Sequence, residues 1–187
     1  MNDLSAFLEE NGFSAEDRET ILGAFLPLSF RKGDYFLQEG QTTRKIGYVR
    51  KGVFQYFYNH DGDEITTYIA SPGGFVVSLG SFLQQMPARE NIRALTEADL
   101  LVISKERFDQ LRAENDRFQA FYVGLLESQM VCIDDSRFNL ITLTAEERYQ
   151  KLLTEEPQLL QLVPQHYLAS ILGVTPRHLS RIRKQVR

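Results

Sequence analysis

The spacing of apolar residues changes character along this chain. Near the start, Leu4, Phe7 and Leu8, then Ile21, Leu22 and Phe25, recur every three or four positions, which predicts helix across residues 1–25. Ser14, three residues before Asp17, marks a helix start inside that stretch. From Leu26 to Ser104 the period drops to two. Short β-rich runs at Tyr35–Leu37, Lys45–Arg50, Val53–Tyr58, Ile65–Ile69, Ile92–Leu95 and Asp99–Ser104 are separated by turn residues such as Lys51-Gly52, Asp61-Gly62 and Pro72-Gly73-Gly74. Short strands at this spacing predict an antiparallel roll or barrel, with a hairpin at Asp61-Gly62. Phe75, Val76, Leu79, Phe82 and Leu83 have helical spacing that Gly80 interrupts, so a short helix and loop are expected over 75–86.

Helical spacing returns after Ser104, the expected cap of a helix carrying Phe108 and Leu111. A long helix is predicted over residues 116–140, with an apolar stripe running through Phe118, Phe121, Tyr122, Leu125, Leu126, Gln129, Cys132 and Ile133. Such a stripe serves either a helix packed on its own domain or one paired with a copy of itself. The length and breadth favour pairing, with Phe118, Phe121, Tyr122, Leu125, Gln129 and Cys132 as the candidate dimer face and Cys132 itself in a core. Thr144 with Glu147 forms a capping box for a helix running to Thr154, before Pro157. Leu159–Val163 is expected to be a short strand.

The segment from Pro164 to Lys184 reads as helix–turn–helix. Ala169 is small where two helices would cross, and Gly173 suits a turn needing positive φ. Thr175 is an N-cap, and a DNA-contact candidate in its own right, with Pro176 at the first helical position. Leu168, Ile171, Leu172, Val174, Leu179 and Ile182 point inward. That leaves Arg177, His178, Ser180, Arg181 and Lys184 outside, with Gln165 placed for a phosphate contact. Arg grips guanine edges in a bidentate manner, while Ser and Lys suit phosphates.

Composition sharpens this picture. The chain has 187 residues, 43% hydrophobic and 25% charged, the balance of a globular protein. Its net charge is -4, but Pro164 to Arg187 holds five basic residues and no acidic ones, while the rest holds 16 basic and 25 acidic. An acidic body carrying a basic contact element points to nucleic acid. One cysteine rules out a disulfide framework and cysteine-held metal or cluster sites. With no long apolar run and no basic start followed by an apolar stretch, a cytoplasmic protein without a membrane partner is expected.

The sequence resembles the Crp/Fnr family of bacterial transcription regulators. The resemblance is carried by Arg31-Lys32-Gly33-Asp34-Tyr35-Phe36-Leu37-Gln38-Glu39-Gly40, Val49-Arg50-Lys51-Gly52, Ile92-Arg93-Ala94 through Ser104, and Leu168-Ala169 through Arg181. It implies an α+β chain: a cyclic-nucleotide-binding-type β-roll (1–113), a dimerisation helix (114–140) and a DNA-binding helix–turn–helix (141–187). It also implies a homodimer on an inverted-repeat site, with double-stranded DNA, RNA polymerase and a small-molecule effector as partners. Arg181 falls on the family's guanine reader. Arg177 stands where an acidic reader is usual, and Pro176 where a basic residue is, so the preferred half-site should differ. No wing hairpin is expected, because the chain stops at Arg187.

The phosphate cassette of nucleotide-binding members is degenerate here. Val77-Ser78-Leu79 replaces Gly-Glu-Leu, and Ala88-Arg89-Glu90 replaces Arg-Ser/Thr-Ala. The Glu that takes the ribose and the Arg that takes the phosphate are both absent, so cyclic AMP is not the expected effector. Ser78, Ser81 and Arg89 are the polar groups left for another ligand, Arg89 also suiting a surface salt bridge. Cysteine count excludes a cluster sensor, and His60 alone, in a hairpin loop, does not make a haem or cupin metal site. His166 and His178 lie in the DNA-binding part, so no metal, resident cofactor or catalysis is expected. The rival reading is a ligand- or partner-binding regulatory module without DNA binding.

Overall fold

A computed structural model describes residues 3–185; Met1, Asn2, Val186 and Arg187 lie outside it, so the readings that touch the two termini fall outside the described residues. Two short helices come first, α1 (Leu4–Glu10) and α2 (Ala15–Leu22), the second starting at the Ser14 cap as expected. The chain turns between them at Gly12, whose φ is +77°, and Ser14 caps α2 by accepting from the Asp17 amide.

Eight strands follow: β1 (Leu26–Phe30), β2 (Tyr35–Leu37), β3 (Lys45–Lys51), β4 (Phe54–His60), β5 (Asp63–Ala70), β6 (Phe75–Val76), β7 (Asn91–Ala94) and β8 (Ala98–Ser104). They make two antiparallel four-stranded sheets, ordered β1-β8-β3-β6 and β2-β7-β4-β5. The sheets bury Phe30, Val49, Val76 and Leu100 of one against Phe36, Phe54, Tyr56 and Ile92 of the other. The Asp61-Gly62 hairpin forms with both residues at positive φ, +50° and +91°, the mirror-image turn that matches strand twist. Phe75–Val76 corrects the expected helix. It pairs with Gly47 and Tyr48 as a two-residue strand, and helix begins only at α3 (Leu79–Gln84). Two residues are too few to show a period.

Gly52 fixes the turn between β3 and β4. Its φ is +91°, and a Cβ there would lie 2.4 Å from the Ala98 Cβ and 2.6 Å from the Glu97 carbonyl oxygen. Gly52→Ala is expected to cost about 1–3 kcal/mol, read as a lowered thermal midpoint. An unchanged midpoint would show that this turn relaxes freely.

Helix α4 (Lys105–Glu114), capped by Ser104, leads into the 27-residue α5 (Asp116–Thr142). The first half of α5 packs with α1, α2 and α4 on the outside of the first sheet, burying Phe118 and Tyr122 beside Phe108, Leu111 and Ile103. After Leu143 come α6 (Ala145–Glu155), α7 (Leu159–Leu162), α8 (Gln165–Ile171) and α9 (Pro176–Gln185). The expected strand over 159–163 is instead the single helical turn α7. Leu159 and Val163, four residues apart, are both buried in the C-terminal core, and that spacing suits a helical turn rather than a strand. The capping box of Thr144 and Glu147 forms as expected. Among the described residues no helix is long and apolar enough to cross a membrane.

Candidate nucleic-acid interface

Helices α8 and α9 meet at a tight turn. Gly173 has a φ of +66°, its amide donates to the Ser170 carbonyl at 3.0 Å, and the Val174 amide donates to the Ala169 carbonyl at 2.9 Å. These bonds satisfy carbonyls that the end of α8 leaves unpaired. Thr175 then caps α9, its hydroxyl accepting from the His178 amide at 3.2 Å. Leu179, Ile182 and Ala169 are fully buried, packed with Leu168, Leu172, Tyr149, Leu159 and Val163.

That anchoring decides what α9 presents. Arg177, Arg181 and Lys184 recur at intervals of four and three, so they share one face, and all three are exposed. Ser180 lies beside them. Gln165 donates to the Pro176 carbonyl at 3.3 Å, tying the start of α8 to the start of α9. Gln165, Ser180 and Lys184 join Arg183 around an open notch of roughly 170 Å³. Arg183 was not singled out from the sequence as a contact. His178 sits apart on the flank, its Nε2 3.7 Å from Glu146 Oε1 of α6. The structure thus brings Arg177, Ser180, Arg181, Lys184 and Gln165 to one surface and turns His178 toward α6.

The helix–turn–helix is also seated on the roll. Val53, Ile69 and Leu95, at one end of the second sheet, share the core of α6 to α9. The Ser170 hydroxyl accepts from the Thr66 amide at 2.8 Å and donates to the Thr66 carbonyl at 3.1 Å. β5 is the edge strand of its sheet, so Ser170 occupies backbone groups that no strand pairs. A polar series continues inward, from Thr66 Oγ1 to Gln55 to Arg93, which is forked onto Glu64. Nothing in local sequence pattern marks Ser170, because its partner lies 104 residues away.

In the roll, the cassette positions are occupied by the chain itself. Ala88 is buried, its amide and carbonyl bonded to Gln41 and Gly40. The Ser81 hydroxyl accepts from the Thr43 amide at 2.9 Å and donates to the Met86 carbonyl at 2.6 Å. Ser78 is 2% exposed. The Tyr56 phenol meets both backbone groups of Val77, and burial pushes its pKa up, so it stays a neutral donor. Arg89 stands exposed in solvent, and Glu90 accepts from the Tyr58 hydroxyl at 3.3 Å. Of the three ligand candidates, Ser78 and Ser81 are thus buried and Arg89 is exposed. Among the described residues no cluster of three His, Cys, Asp or Glu is placed to hold a metal ion.

The candidate dimer face is divided. Phe118 and Tyr122 are buried on the chain's own roll, Phe121 packs partly against the same core, and Leu125 is half-buried; Gln129 and Cys132 are exposed. Cys132 is thus no core residue of this chain, correcting that expectation. A second heptad series, Val123, Leu126, Met130, Ile133, Arg137 and Leu140, runs along a neighbouring stripe of α5. Four of its members are large and open: Val123 is 41%, Met130 70%, Ile133 55% and Leu140 55% exposed.

The family described as cyclic nucleotide-binding domain matches residues 27–115. No curated protein matches the chain in sequence. Among solved structures, a catabolite activator protein from Thermus thermophilus is 20% identical over 94% of this chain and 84% of its own, with a TM-score of 0.60. The regulator CLP of Xanthomonas campestris, described as c-di-GMP responsive, is 20% identical over 92% and 91%, with a TM-score of 0.69. FixK2 of Bradyrhizobium japonicum is 18% identical over 87% and 84%, with a TM-score of 0.74. Residues 27–115, where the cyclic nucleotide-binding family matches, together with a long helix and a C-terminal helical head, give this chain the fold of the Crp/Fnr transcription regulators.

Proposed function

We propose that the protein is a homodimeric, sequence-specific DNA-binding regulator of transcription that reads an inverted repeat with α9. The observation that carries this is the outer face of α9. Arg177, Arg181 and Lys184 lie in line and open, while Leu179 and Ile182 on the opposite side are fully buried. A helix held rigidly by one side, with cations and no carboxylate of its own on the other, suits insertion into a major groove. Residues 1–113 act as the sensor, 114–140 as the pairing helix and 141–187 as the reading head, in the cytoplasm and with RNA polymerase downstream. Selection from random duplexes, followed by binding titrations in varied salt, tests the reading. Enrichment of a palindrome with a steep salt dependence is expected. Salt-insensitive or sequence-blind behaviour favours the rival module without specific DNA binding.

The effector in this reading is a small molecule other than cyclic AMP. A buried methyl, Ala88, stands where a phosphate-binding guanidinium would be needed, and the Ser81 hydroxyl is already bonded twice. Calorimetry with cyclic AMP is expected to show no binding at micromolar concentration. Micromolar or tighter affinity would overturn this assignment.

A further inference from the structure

Arg148, on α6, joins two helix ends that are distant in sequence. Its Nη1 donates to the Leu143 carbonyl at 2.6 Å. Its Nε and Nη2 donate to the Leu172 carbonyl at 3.2 and 2.8 Å. Leu143 is the C-cap of α5, where the chain leaves the long helix in an extended conformation. Leu172 is the C-cap of α8 and opens the turn of the reading head. Both carbonyls lie at helix ends that leave backbone acceptors unpaired and carry the negative pole of the helix dipole. A planar cation with a fixed fork holds both at once in a set geometry, with two donors on one of them, which a lysine ammonium on a flexible stem does not reproduce.

Leu143 is also the place where the head would swivel against α5. We propose that Arg148 is a positioning residue: by clamping the end of α5 to the turn of the helix–turn–helix, it fixes the separation of the two recognition helices and so the half-site spacing the dimer accepts. This rests on the DNA-binding dimer proposed above. Arg148 reads no base, because its nitrogens are spent on two carbonyls behind the turn. The Ser170 seat restrains the head against its own roll. Arg148 restrains it against α5, the helix on which the proposed two-fold axis lies.

The test uses the full chain as wild type, Arg148→Lys, Arg148→Met and Ser170→Ala. Changing the spacer by one base pair rotates one half-site by about 35° relative to the other. The wild type should therefore lose roughly tenfold or more in affinity on such duplexes, since the DNA must be twisted to fit. In Arg148→Met that spacer penalty should fall to about threefold or less while single half-site affinity is kept. Arg148→Lys should fall with Arg148→Met. A second arm needs no DNA. Spin labels at Cys132 on α5 and at Gln185→Cys on α9, with labelled chains diluted into an excess of Cys132→Ser protein, report the head-to-helix distance. A distribution that is narrow in the wild type and broad in Arg148→Met supports the clamp.

Equal weakening on every spacer, or an unchanged distance distribution, overturns it and leaves Arg148 a fold residue. Loss of spacer preference in Ser170→Ala but not in Arg148→Met overturns it too, in favour of the seat. If the wild type binds no selected duplex, the DNA reading fails and the distance arm alone decides the clamp.

Discussion

Arg181→Ala is expected to cost about 1–3 kcal/mol per half-site and to erase preference at one base pair, because the bidentate guanidinium contact to guanine proposed for it would be lost. Over two half-sites that is about 2 kcal/mol or more, roughly thirtyfold at the least. The placement follows from packing. Ile182, next in sequence, is fully buried, so Arg181 must project outward, on the same face as Arg177 and Lys184. Lys184→Ala supplies the contrast. A lysine at the far end of α9, beside the notch it shares with Gln165, Ser180 and Arg183, suits a phosphate. Its loss should weaken specific and scrambled duplexes alike and lower the salt slope by about one unit. A specificity ratio left intact by Arg181→Ala would place the recognition helix elsewhere.

The reading head was legible in sequence because its determinants are local. Gly173 takes the positive φ its turn requires, Thr175 caps and Pro176 begins α9, and the buried Leu179 and Ile182 lie three apart. The roll was legible for a similar reason, since its short β-rich runs are punctuated by local turn residues such as Lys51-Gly52, Asp61-Gly62 and Pro72-Gly73-Gly74. Phe75–Val76 was not, because a two-residue strand is defined only by its pairing with β3. Arg148 and Ser170 escaped notice for the same reason: what they do depends on carbonyls and amides 5, 24 and 104 residues away. His178 was expected on the outer face of α9. Its lean toward Glu146 depends on where α6 lies, which no helix pattern within α9 encodes.

The long helix α5 shows the limit most clearly, and it sets the last prediction. Two heptad series run along α5 side by side, and sequence alone did not separate them: its stripe joined Leu126 and Ile133 of one to Phe118, Phe121, Tyr122, Leu125, Gln129 and Cys132 of the other, the six it favoured as the dimer face. The roll already covers the start of that series. The other packs Leu126 on the same core but stands open at Val123, Met130, Ile133 and Leu140, with Met130 70% exposed at its middle. In a two-stranded coil such positions meet their own copies across the axis. Met130→Glu would set two carboxylates against each other in a closing apolar seam, where an unpaired buried charge costs several kcal/mol. The variant is expected to sediment as a monomer at micromolar concentration and to bind a palindrome no better than an isolated half-site. The fold should survive, because Met130 contributes nothing to the chain's own core. Leu125→Glu tests the alternative: Leu125 is half-buried in the single chain, and its substitution should leave the dimer in place. A Met130→Glu protein that remains dimeric, beside a Leu125→Glu protein that falls apart, would return the interface to the series first favoured by the sequence.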